Sequence, residues 1–112
     1  MLDFTFNKSL EYANIIGLGQ LHTVIPPQDH AVGTISINGS NSFTTSSFDD
    51  LISRLYQIAV NTNETGGLSF AESWYQEPED ESTLVPISEA SREKMLIMRN
   101  TYGWGFYPNI FD

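Results

Sequence analysis

Apolar residues recur at three- and four-residue intervals in one long stretch, at Phe48, Leu51, Ile52, Leu55, Ile58 and Ala59. That spacing places all six on one stripe of a helix, expected over Phe48–Val60 with the stripe turned to the core. Ser47-Phe48-Asp49-Asp50 has the form of a capping box, with Asp50 standing where Glu is usual. Asp49 and Asp50 would also meet the positive end of the helix dipole. The polar run Asn61 to Gly67 closes the element. A second helix is expected from a Ser88 cap through Glu89 to Arg99, with Ala90, Lys94, Ile97 and Met98 along one side. Its run Met95-Leu96-Ile97-Met98 also suits a strand, but Ile97 is its only β-branched residue, which favours the helix.

Elsewhere the period is two. Leu2, Phe4 and Phe6 alternate with Asp3, Thr5 and Asn7, the pattern of a half-buried strand. Ser9 to Ile16 is ambiguous, since Ser9 could cap a short helix carrying Tyr12, Ala13 and Ile16 before Gly17 and Gly19 end it. Leu21 to Ile25 reads as extended, stopped by Pro26-Pro27. Thr34 to Ile37, then Asn38-Gly39, then Ser42 to Thr45 is the clearest hairpin signal, because Asn-Gly supplies the positive φ values of a tight turn. Leu68, Phe70 and Trp74 suggest a further strand running to Gln76. At the end of the chain Tyr102, Trp104 and Phe106 alternate with Gly103 and Gly105, so a strand there would stack three aromatics on one face.

These elements predict an α+β fold for residues 1–112 as a single domain. A small antiparallel sheet of four to five strands would be covered on one face by the first helix, with the second beside it. The length suits one core. Cysteine is absent, which excludes a disulfide scaffold, a thiolate metal site and a cysteine nucleophile together.

Charge sharpens the functional reading. Fourteen acids against five bases give a net charge of -9. Between Ser9 and Ser91 eleven acids face the single base Arg54, and Glu77, Glu79, Asp80 and Glu81 crowd around Pro78. Such a surface repels phosphates and anionic membranes and draws basic partners through a long-range, salt-sensitive field. Direct nucleic-acid or membrane binding is therefore not expected. The plainer explanation of the charge is that it keeps a small protein soluble.

The candidate chemistry is thin. Ser91-Arg92-Glu93-Lys94 matches the Ser-x-x-Lys spacing of serine acyl enzymes, but their companion motifs are missing. His22 and His30, with Asp29 adjacent, have no spacing that makes a metal site. Gly17-Leu18-Gly19 lacks the third glycine of a dinucleotide loop and reads as a turn. No cofactor is expected. Three Asn-x-Ser/Thr triplets begin at Asn7, Asn38 and Asn63 and read as products of a Ser/Thr/Asn-rich composition. The opening residues pair no basic region with an apolar run, so an export signal is not expected and the cytoplasm is the anticipated location, or a virion for an assembly subunit.

Two surfaces then compete as the functional one. The first is acidic, comprising Glu72, Glu77, Glu79, Asp80 and Glu81, and suits a non-enzymatic inhibitor or adaptor on a basic protein, in the limit a nucleic-acid mimic. In composition alone it resembles small acidic proteins by which phages block host nucleic-acid-binding machinery. The second is aromatic, comprising Tyr102, Trp104, Phe106, Tyr107 and Phe111, and suits a structural subunit contacting copies of itself. A small enzyme is the third class, with no residues to assign to it.

Overall fold

The computed structural model describes residues 2–5, 9–14, 23–37, 44–70 and 87–107. Among these residues two helices and six short strands follow one another as β1 (Leu2–Asp3), β2 (Tyr12–Asn14), β3 (Val24–Ile25), β4 (Thr34–Ser36), α1 (Thr45–Thr62), β5 (Gly67–Ser69), α2 (Glu89–Tyr102) and β6 (Gly105–Tyr107). The combination of helices and sheet is the one expected. The sheet itself is parallel, not antiparallel: its order is β2-β4-β5-β6 and every neighbouring pair runs the same way. β1 and β3 form a separate parallel pair, extended by Phe4 N–H donating to the Ile25 carbonyl at 2.7 Å.

The reason lies in what separates the strands. α1 stands between β4 and β5, and α2 between β5 and β6, so each strand is reached by a crossover that returns the chain to the same end of the sheet. Crossovers that step the same way place their helices on the same face, and α1 and α2 do pack against each other. The second hairpin strand expected over Ser42 to Thr45 does not include its last two residues. Thr44 caps α1 and Thr45 begins it, while β4 already has β2 on one side and β5 on the other. Asn38 to Phe43 lie outside the described residues.

α1 forms where its apolar stripe demands, and all six expected residues are buried. Its start is one turn earlier than expected. The Thr44 hydroxyl accepts from Ser47 N–H at 3.1 Å, and Ser47 Oγ in turn accepts from Thr44 N–H at 2.8 Å, a reciprocal box. Asp49 and Asp50 therefore sit in the second turn, beyond the first-turn N–H groups. Asn63 closes the helix with a left-handed φ of 56°, its N–H donating to the Ala59 carbonyl at 2.9 Å.

α2 has the expected Ser88 cap, which accepts from Ser91 N–H at 3.1 Å. Its inward face is different from the one the apolar residues suggest. Ser91, Met95 and Met98 are buried, whereas Ala90, Leu96 and Ile97 are exposed. The spacing of four and three between them is helical, but the stripe begins on a serine. Residues 12–14 are a strand and not a helical turn, with Ala13 buried, Tyr12 exposed and the Glu11 carbonyl accepting from Thr34 N–H at 3.4 Å. The strand expected from Leu68 is present as β5 but ends at Ser69, with Phe70 buried just beyond it; its continuation to Trp74 and Gln76 lies outside the described residues, as does Phe6.

The core is one cluster. In register across the sheet, Ala13, Ile35 and Leu68 point inward, and Phe106 packs half-buried beside them. Ile37, Phe70, Val24 and Val32 extend the layer under the helices. Phe48 of α1 meets Phe70 edge to face, with ring centroids 5.1 Å apart.

Candidate functional site

Strand residues alternate between faces. With Ile35, Leu68 and Phe106 inward, Thr34, Gly67 and Gly105 face the side opposite the helices. Gly67 and Gly105 are direct partners in register. Each lacks a side chain, so the floor of the sheet is bare main chain at two adjacent strands. A Cβ added to Gly105 would meet nothing within 4 Å. A Cβ on Gly67 would have only sheet neighbours near it, with the Gly33 carbonyl at 3.1 Å, the Gly105 carbonyl at 3.5 Å and Thr34 Oγ1 at 3.8 Å. The outcome is an open groove of about 340 Å³ bordered by Thr34, Ser69 and Tyr107.

Two exposed tyrosines stand on this face. Tyr107 on β6 is 53% exposed and Tyr12 on β2 is 59% exposed. Three strand steps separate their strands, roughly 14 Å. Ser36 on the same face is buried, so the opening lies over β5 and β6, where Ser69 and Tyr107 border it. Parallel sheets ordinarily bury both faces; here a glycine pair leaves part of one face accessible.

The aromatic residues expected to share one strand face do not. Tyr102 is the last residue of α2, and its carbonyl accepts from Thr65 Oγ1 at 2.6 Å. Gly103 turns the chain with a φ of 75°. Trp104 is a core residue, 2% exposed, with Nε1–H donating to the Glu64 carbonyl at 2.9 Å. Phe106 packs on the core from the inner face. Tyr107 alone of the described members of that set lies substantially in solvent. Phe111 and the acidic set Glu72, Glu77, Glu79, Asp80 and Glu81 lie outside the described residues. Tyr12, Thr34, Gly67 and Gly105 were not anticipated as site residues. Gly66-Gly67 and Gly103-Trp104-Gly105 carried the signal, two glycine-containing segments at the start of strands that pair.

The serine and histidine candidates have other work. Asp49 Oδ1 accepts from both Ser91 Oγ at 2.6 Å and Ser88 Oγ at 2.7 Å, joining α1 to the start of α2. Lys94 Nζ donates to Ser53 Oγ at 3.1 Å. Ser91 and Lys94 are thus spent on separate ties between the helices. His30 lies beside Asp29 and the Leu10 carbonyl, and those two hydrogen bonds raise its pKa above the ordinary value against the opposing effect of burial. His22 is outside the described residues. Among the described residues no three His, Asp or Glu side chains form a group that could hold a metal ion. No described helix is long and apolar enough to cross a membrane. No family model, curated protein or solved structure matches the chain.

Proposed function

We propose that the protein is a non-enzymatic protein-binding module, and that the glycine-floored groove is where a segment of a basic partner docks. The observation that carries this reading is the Gly67–Gly105 pair, which exposes main chain beside the accessible ring of Tyr107. A floor without side chains admits close approach of another polypeptide, and tyrosine on the rim offers a large contact area at low entropic cost. The net charge of -9 selects the sign of the partner. Its long-range field raises the encounter rate with basic surfaces, while the groove supplies the short-range fit.

The test is affinity capture from the source cells with the wild-type chain and with Gly105→Val. The substitution fills open space without touching the core, so fold and charge persist. Proteins with basic surfaces should be captured by the wild type, lost with the variant, and weakened as salt rises. Capture of the same proteins by both chains contradicts the proposal, as does a wild-type chain that captures none. Neutralising Glu77, Glu79, Asp80 and Glu81 should slow association while leaving the groove intact. A concentration-dependent self-association abolished by Gly105→Val would identify the occupant as a second copy and favour the structural-subunit reading instead.

A further inference from the structure

His30 lies in the segment between β3 and β4, and both of its ring nitrogens face acceptors. Nδ1 is 2.8 Å from Asp29 Oδ1 and Nε2 is 2.6 Å from the Leu10 carbonyl oxygen. Neither a carboxylate nor a carbonyl can donate. A neutral imidazole carries one N–H, so one of these contacts would then set lone pair against lone pair. Only the imidazolium satisfies both. The charged surroundings agree: Asp29 is adjacent, and Glu64, beyond the end of α1, holds Ala31 N–H through Oε1 at 3.0 Å and adds its negative charge to the field at His30.

The Leu10 end of this contact leads directly into the sheet. The next residue, Glu11, accepts from Thr34 N–H through its carbonyl, at a long 3.4 Å, and β2 begins at Tyr12. β2 is three residues long and lies at the edge, so among the described residues β4 is its only partner in the sheet. Such a strand draws much of its hold from contacts just outside it. We infer that His30 is a proton-dependent clip fastening edge strand β2 to the body of the protein, closed as the imidazolium and loosened when the ring is neutral. The inference is independent of what docks on the sheet, although β2 carries Tyr12, so the clip also bears on that face.

Nuclear magnetic resonance of the full chain tests it. The His30 ring should titrate above its ordinary pKa. Amide-exchange protection factors at residues 11–14 and at Thr34, corrected for intrinsic rates at each pH, should fall roughly threefold to fivefold with that same midpoint, the weight of one partly solvated hydrogen bond. In His30→Gln the protection of these amides should be low and independent of pH, while His22→Gln keeps the wild-type profile. A His30 ring that titrates at the ordinary value overturns the clip. So does β2 protection that ignores its titration, or a pH profile that moves with His22.

Discussion

Gly66 packs closely against the indole of Trp104. A Cβ on Gly66 would come within 2.8 Å of Trp104 Cη2, 2.9 Å of Cζ3 and 2.6 Å of the Val32 carbonyl oxygen. The ring is in turn held by its N–H on the Glu64 carbonyl, two residues before Gly66. This contact sets where β5 and β6 begin, and so where the neighbouring Gly67 and Gly105 meet on the outer face. Gly66→Ala should cost about 1–3 kcal/mol, because main-chain oxygen and a locked indole cannot move aside. Chemical denaturation of the two chains would measure it.

Trp104→Ala removes both the buried ring and the donor to Glu64. A loss of about 3–5 kcal/mol is expected, a large share of a small domain's stability. Trp104→Phe should recover most of the packing but leave the Glu64 carbonyl without its indole donor. The unfolding midpoint of Trp104→Phe should fall between those of the other two chains.

Asp49 joins the helices through two hydroxyls, one of them on the buried Ser91. Asp49→Ala should destabilise by about 2 kcal/mol, since Ser91 Oγ loses its acceptor in a site closed to water. The double variant with Ser91→Ala should cost less than the two single changes added together, a coupling that a thermodynamic cycle reads directly.

Proton linkage at His30 has a defined sign. Its folded-state pKa is raised, so the stabilisation is fully present below the unfolded value near 6.5 and is lost as pH rises through the folded value. At a partly solvated site this is worth under about 1 kcal/mol. Thermal melts should show the wild type losing its advantage over His30→Gln across that alkaline-going window and not on the acid side. An advantage that grows with pH would contradict the assignment.

Much of the fold was legible where one physical signal dominated. The stripe from Phe48 to Ala59 could be buried only by a helix, and Ser88 capped α2 because its hydroxyl reaches the Ser91 amide. The failures came where two signals competed. Asn38-Gly39 argues for a hairpin, yet the alternation of strand and helix after Thr34 argues for crossovers, and the crossovers prevailed because both edges of β4 were taken. In α2 the stripe expected through Ala90, Lys94, Ile97 and Met98 kept only Met98 inside, and the buried side runs through Ser91 and Met95 instead. Ser91, satisfied by Asp49 from the facing helix, shows that burial followed a hydrogen bond no single-chain pattern contains. The groove was hidden for a related reason. A glycine declares itself in sequence as a turn, and only the register between β5 and β6 shows two of them sharing an uncovered face.

The surface above Gly67 and Gly105 is proposed to bind a partner. Gly105→Val tests it most directly, read as affinity for whichever partner the wild-type chain captures. The variant's unfolding midpoint should be unchanged or slightly raised, since valine suits a strand better than glycine and meets open space. Its affinity should drop at least about tenfold, the loss of roughly 1.4 kcal/mol or more of contact. A variant equally stable and equally tight would contradict the account.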